Sequence, residues 1–253
     1  MTGDSEGFSF DSAGATDTGR VRDHNEDSFL TLPSAGVWMV ADGMGGHHAG
    51  DVASQILAEE LETVGVPVSA QDLRARVSER VTRAHNRIQT HSDQLGHATV
   101  GTTLAALMIH ESGFTCLWAG DSRIYLLRKG RLSRLTTDHS EVQELLSAGS
   151  IDAEEARHWP RKNVITRAIG IYRTPRTEMV TGMVDDGDSF LLCSDGLTEH
   201  LEDDEIAELL GDGNAETSAR AMIAETLARG ARDNVTVVVV RCRANGGEPG
   251  GSR

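Results

Sequence analysis

Five aspartates in this 253-residue chain stand at the ends of apolar runs of strand length. Asp42 follows the run 37–41 and opens Asp42-Gly43-Met44-Gly45-Gly46, and Asp121 follows the run 116–119 in Gly120-Asp121-Ser122-Arg123. Asp195 follows 190–193 in Ser194-Asp195-Gly196, Asp233 precedes 235–240 in Arg232-Asp233-Asn234, and Asp27 precedes 28–32 with Glu26 beside it. Any one Asp-Gly after a strand is first of all a turn signal. The set says more, because strand ends gather residues distant in sequence, and converging carboxylates repel one another unless a cation neutralises them. Oxygen ligands without clustered cysteine or histidine suit hard ions, Mg²⁺ or Mn²⁺, rather than zinc. A glycine at position 43 would let the backbone come close enough for its carbonyl to join such a shell; a positive φ would explain it equally well.

Arg22 is the candidate for gripping an anionic substrate. It stands just ahead of Glu26 and Asp27, and a guanidinium holds phosphate through two parallel hydrogen bonds that lysine cannot imitate. Read without that context it is a surface charge paired with Asp23 or Glu26. Competing phosphate motifs fail. The glycines of Gly45-Gly46-His47-His48-Ala49-Gly50 have Walker-like spacing, but Asp51 occupies the place of the lysine, and the dinucleotide fingerprint lacks its last glycine. Neither Cys116 nor Cys193 begins a Cys-x5-Arg loop, since Ser122 and Glu199 stand at the sixth position; that pattern argues against a thiol nucleophile.

Elements must bring these residues together. Runs of β-rich composition cover 36–41, 102–109, 114–119, 124–127, 189–193 and 235–241. Their close spacing from Thr102 to Leu135 predicts an antiparallel meander with turns near Glu111–Gly113, at Asp121 and at Lys129-Gly130. Helical spacing links Val52, Ile56, Leu57, Leu61 and Val64, and a second helix uses Leu73, Val77, Val81, Ala84 and Ile88 behind a capping box at Ser69 and Asp72. A third stripe, Ile223, Ala224, Leu227 and Ala228, stops at Gly230. Strands and helices segregate, which favours antiparallel sheets covered by helices over a doubly wound parallel sheet.

Composition bounds the rest. With 39 acidic against 24 basic residues the formal net charge is −15, which argues against a nucleic-acid partner. A phosphate substrate is still allowed, because bound divalent cations reverse the local sign. Three widely spaced cysteines in apolar runs fit packed thiols in a reducing compartment. No signal peptide and no membrane span is legible, so a cytoplasmic protein is expected. Residues 1–12 read as a flexible terminus and 244–253 as a disordered Gly-rich tail, leaving 13–243 as one domain.

Taken in order, Arg22-Asp23-His24-Asn25-Glu26-Asp27, Val40-Ala41-Asp42-Gly43-Met44-Gly45-Gly46, Val100-Gly101-Thr102-Thr103, Ala119-Gly120-Asp121-Ser122-Arg123, Asp138-His139-Ser140, Leu192-Cys193-Ser194-Asp195-Gly196 and Arg232-Asp233-Asn234-Val235-Thr236 resemble the metal-dependent PPM/PP2C-type protein serine/threonine phosphatases. The likeness is greatest to their compact bacterial branch and runs from about Asp17 to Arg241.

The resemblance implies an α+β fold, a four-layer αββα sandwich of two antiparallel sheets flanked by helices. It implies that Asp27, Asp42, Asp195 and Asp233, with the Gly43 carbonyl, hold two Mn²⁺ or Mg²⁺ ions. Asp121 with Asp195 would contribute to a third, weaker site, Arg22 would bind the substrate phosphate, and 138–163 would be a flap beside the active site. Met44 stands where animal relatives carry a histidine proposed as general acid; His47, His48, His139 and His158 are no secure substitutes, so the acid stays unassigned. The expected reaction is direct attack of a metal-bridging hydroxide on phosphoserine or phosphothreonine, reversing the action of a bacterial Ser/Thr kinase, by a monomer. Its rivals are a metal-dependent hydrolase of small phosphomonoesters and a non-catalytic signalling module of the same fold.

Overall fold

In the computed structural model, which describes residues 2–5, 7–46, 49–161 and 163–245, the strand runs that read as continuously apolar are covered on both faces. In the stretch from Val37 to Ala41 the alternation of a strand sends Val37, Met39 and Ala41 one way, against helices, and Trp38 and Val40 the other way, into the space between two sheets. The last strand does the same, with Val238 and Val240 inward and Val235, Val237 and Val239 towards helices.

The chain begins with β1 (Thr2–Ser5), β2 (Phe8–Asp17), β3 (Asp27–Leu32) and β4 (Val37–Gly45), followed by helices α1 (Ala49–Glu62) and α2 (Ala70–Gln94). Strands β5 (Val100–Thr102), β6 (Leu104–His110), β7 (Gly113–Ala119), β8 (Arg123–Arg128) and β9 (Arg131–Arg134) come next, then short helices α3 (Glu141–Ser147) and α4 (Ala153–Arg157). The rest is β10 (Glu178–Met183), β11 (Ser189–Cys193), α5 (Asp195–Thr198), α6 (Asp203–Gly211), α7 (Ala215–Ala228) and β12 (Val235–Ala244). One sheet runs β1-β2-β12-β11-β8-β9, the other β10-β7-β6-β4-β3 with β5 paired to β4. The pairings are antiparallel. Helices α1 and α2 pack on the second sheet, and α6 and α7 on the first. The molecule is therefore the αββα sandwich of two antiparallel sheets, and no described helix is long and apolar enough to cross a membrane.

Several details depart from the sequence reading. The stretch from Thr102 to Leu135 is not one meander: β6 pairs with β7 in one sheet and β8 with β9 in the other. Its hairpin turns form where expected, with Glu111 at φ 52° and Lys129 at φ 52°, but the turn at Asp121 carries the chain from one sheet to the other. A short turn looks the same in sequence whether the chain folds back or crosses over. On α1, Val52 is 36% exposed and the small Ala49 and Ala53 face the core instead. Ser69 caps α2 by accepting from the Asp72 amide (3.1 Å), yet the Asp72 carboxylate accepts from Val68, not Ser69, so the box is not reciprocal. On α7 the buried face is Ala219, Met222, Ile223 and Thr226, with Ala224 exposed.

The expectation of a flexible terminus over 1–12 is corrected. Strand β2 starts at Phe8 and lies between β1 and β12, and Phe10 is 1% exposed, with its ring edge-on to Trp38 at 5.0 Å. The strand is rich in Ser, Gly and Asp and contributes large side chains only at alternate positions, a pattern too sparse to stand out in sequence. Phe10→Ala is expected to destabilise the fold by about 3–5 kcal/mol, read from urea denaturation; a loose terminus would give no change. At the other end β12 continues through Ala244, and residues 246–253 of the expected tail lie outside the described residues, as do His47 and His48.

Candidate metal centre

The register of the strands gathers the aspartates. Asp27 on β3 lies directly opposite Asp42 on β4. Asp195 opens α5 just past β11, Asp233 stands just before β12, and Asp121 sits in the crossover from β7 to β8. Cross-links hold these ends in place. The Ser194 hydroxyl donates to Asp27 Oδ2 (2.8 Å) and accepts from the Thr236 amide (2.9 Å), tying the two sheets together. Thr103 Oγ1 accepts from the Asp42 amide (2.8 Å) and shares a hydrogen bond with Ser122 Oγ (2.7 Å), which couples the Asp42 strand to the neighbour of Asp121. Asn234 donates to the carbonyls of Thr18 and His24 and accepts from the Glu26 amide, fastening the loop before β3 to the start of β12.

Gly43 is explained by approach, not by φ. It is absent from the positive-φ glycines, but a Cβ there would lie 2.0 Å from the Gly50 carbonyl and 2.6 Å from that of Glu26. Its amide donates to that Glu26 carbonyl at 3.1 Å. Gly196 is bound in the same way, with the Asn234 carbonyl 2.0 Å from its Cβ position.

The five aspartates are half-buried: desolvated, yet open to an entering ion. Burial, reinforced by repulsion from the neighbouring carboxylates, raises the pKa of Asp27, Asp42, Asp121 and Asp195 above the ordinary carboxylate range. A cluster with that property takes up either protons or cations. The second choice is open to Asp27 Oδ1 and Asp195 Oδ1, which among the described residues are buried oxygens without a hydrogen-bond partner. Among the described residues no three His, Cys, Asp or Glu side chains are already drawn together as a closed cage.

Arg22 stands at the mouth, 53% exposed, and its Nη2 donates to Asp233 Oδ2 at 2.7 Å, so its partner is Asp233 and not Asp23 or Glu26. On the far side a cavity of about 570 Å³ is lined by Asp121, Asp195, Arg123, Asp138, Asn163 and Glu199, and α3 and α4 of the 138–163 segment form part of its wall. Arg123 grips Asp138 with two nitrogens, at 2.7–3.2 Å. This pair, with Thr103, Ser122, Ser194 and Asn234, was not singled out in the sequence. Each flanks a motif aspartate or lies within a quoted motif, but nothing in the spacing shows which hydroxyl meets which carboxylate. Of the histidines, His139 is buried, stacked on Trp118 at 5.9 Å and accepting from the Gly120 amide, while His158 is exposed.

The family model for Protein phosphatase 2C matches residues 18–235. The chain is 35% identical over 234 residues to a serine/threonine phosphatase, stp, of Listeria monocytogenes, covering 89% of this chain and 93% of that one. It is 37% identical over 231 residues to the serine/threonine protein phosphatase PstP of Mycobacterium tuberculosis, covering 90% of this chain and 44% of that protein. The crystal structure of the catalytic domain of PstP in complex with 2 manganese ions superposes with a TM-score of 0.85 at 34% identity, over 93% of this chain and 99% of that one.

Proposed function

The chain belongs to the protein phosphatase 2C family and is a serine/threonine phosphatase; from that premise we propose that phosphoserine and phosphothreonine in proteins are hydrolysed at its aspartate cluster, by direct attack of water and without a covalent enzyme intermediate. The observation that carries the reading is the pair of unpartnered buried oxygens, Asp27 Oδ1 and Asp195 Oδ1, inside a nest of carboxylates at the shared end of both sheets. Asp27, Asp42, Asp195 and Asp233, with the Gly43 carbonyl, would hold two Mn²⁺ or Mg²⁺ ions, and Asp121 with Asp195 a third, weaker one. Such ions supply an acidified water as nucleophile and positive charge against the phosphoryl oxygens.

The protein's own contribution is preorganisation. Ser194, Thr103 and Asn234 fix the carboxylates and the loops that carry them, so little has to move as charge develops on the phosphoryl group. Arg22 shares its guanidinium between Asp233 and solvent, and an arriving phosphate monoester can take up the free donors. The 138–163 segment, walled against the cavity by Arg123 and Asp138, screens one side of the bound phosphopeptide as a flap. The physiological substrates on this reading are phosphoproteins, a bacterial Ser/Thr kinase among them, met in the cytoplasm by a monomeric enzyme.

Arg22→Ala tests the substrate side. Loss of a charge-assisted, two-pronged contact is expected to lower kcat/KM on a phosphothreonine peptide roughly 10- to 100-fold, mainly through KM, with Mn²⁺ affinity by calorimetry little changed. Wild-type enzyme that turns over nucleotides or sugar phosphates much better than any phosphopeptide would move the assignment to a small-molecule phosphomonoesterase.

A further inference from the structure

Among the described residues, two arginines beside the aspartate cluster have guanidiniums without a partner, and a phosphatase has a use for them. The segments 18–24 and 231–234 are joined closely: the Arg20 amide donates to the Ala231 carbonyl at 2.8 Å, and Asn234 Nδ2 donates to the carbonyls of Thr18 and His24. Gly19, at φ 80°, lies so close that a Cβ would stand 2.3 Å from the Asp233 carbonyl oxygen. The Arg232 amide is anchored on His200 Nε2 at 3.3 Å. Arg20, Arg22 and Arg232 therefore belong to one rigid edge of the catalytic mouth.

Their circumstances differ. The Arg22 guanidinium is engaged by Asp233. Those of Arg20 and Arg232 are exposed and, among the described residues, make no hydrogen bond or ion pair. Elsewhere Arg76, Arg83, Arg87, Arg123, Arg128 and Arg229 each find a carboxylate, while Arg74, Arg131 and Arg173 make no such pair among the described residues. What sets Arg20 and Arg232 apart is their place: in a chain with 39 acidic residues and a net charge of −15, they stand on the two segments that carry Arg22 and Asp233. The cavity wall itself carries both signs, with Glu199, Glu202 and Asp138 beside Arg123, Arg134 and Arg157.

We propose that Arg20 and Arg232 receive an anionic side chain, a carboxylate or a second phosphate, carried by the substrate within about three residues of the scissile phosphoresidue, a reach set by the ~3.3 Å advance per residue of an extended peptide. The inference rests on the phosphatase reading above and names the substrate class that reading leaves open. It also has a sign that the overall charge does not supply. The acidic protein as a whole repels an anionic peptide, so a preference for one can only be local.

The test compares phosphothreonine peptides that carry Glu, phosphoserine, Gln or Lys at each of the three positions on either side, with Mn²⁺-saturated wild type and an Arg20→Gln/Arg232→Gln double variant. Wild type is expected to turn over the Glu or phosphoserine peptide roughly three- to tenfold better than the Gln peptide at one or more positions on one side. The gain should appear in KM and shrink as salt rises. The double variant should lose the preference or reverse it, while its Mn²⁺-induced thermal shift, which a misfolded or metal-deficient protein would lack, stays that of wild type. A response to Glu identifies a carboxylate receptor, and a response confined to phosphoserine a receptor for a second phosphate. A wild-type ratio of one or less at every position, or an undiminished ratio in the double variant, overturns the assignment. Failure to turn over any of these peptides defeats the phosphatase reading itself, and this inference with it.

Discussion

Asp195→Asn is expected to lower phosphate release from a phosphothreonine peptide by roughly three orders of magnitude or more, while the variant stays folded and, without metal, is no less stable than wild type. The two halves of this result have one cause. The Asp195 carboxylate is desolvated and repelled by Asp233 and Glu199, and it in turn repels Asp27, Asp42 and Asp121. Among the described residues its Oδ1 has no hydrogen-bond partner. An amide of the same shape removes one negative charge from the cluster, which relieves repulsion in the metal-free fold and weakens the hold on a dication. Phosphate release measured beside thermal unfolding in EDTA checks both halves. A variant that unfolds without metal would show Asp195 to be a structural residue, contrary to this account.

A second large effect is expected from Mn²⁺ on stability, with a definite pH dependence. Burial, with repulsion added, lifts Asp195 to about 6 and Asp27 to about 7 in the metal-free fold. An unfolded aspartate titrates near 4. Between about pH 4 and pH 7 the folded state therefore retains protons that the unfolded state has released. Stability contributed by these groups falls as pH rises through that window and is level above it. Bound Mn²⁺ requires the carboxylates deprotonated, so its stabilisation must grow across the same window. At a free concentration 100 times the dissociation constant it amounts to about 2.7 kcal/mol, or roughly 5–10 °C in Tm for a chain of this size. Calorimetry at pH 5 and pH 7.5, each with Mn²⁺ and with EDTA, should show a shift that is small at the lower pH and several degrees at the higher. An equal shift at both would mean that the ion binds elsewhere.

How much of this was legible in the sequence depends on what each residue had to announce. The aspartates were, because an acid at the end of a buried strand is conspicuous and five of them make a pattern. Antiparallel sheets covered by helices were legible too, since strand-like runs and helical stripes segregate along the chain, whereas the four-layer order came from the family resemblance. The sheet change at Asp121 was not, because a crossover and a hairpin use the same turn residues. Strand β2 was missed because its large side chains, Phe8 and Phe10, are separated by Ser and followed by Ser, Ala and Gly. The reason for Gly43 could not be read either, as a forbidden Cβ and a positive φ look alike until the Gly50 carbonyl is found 2.0 Å away. Hidden most completely were the hydroxyls. Ser194 meets the Asp27 carboxylate and Thr103 the Asp42 backbone amide through contacts spanning 167 and 61 residues of sequence, and separation on that scale leaves no local trace.

The most direct test of the central claim, that the aspartate cluster works through bound divalent cations, is phosphate release from a phosphothreonine peptide by protein stripped of metal and then titrated with Mn²⁺. The account predicts no release above background from the stripped, folded protein, recovery as Mn²⁺ is added, and loss again with EDTA. Undiminished release by protein verified as metal-free, or none from folded protein shown to have bound Mn²⁺, would contradict it.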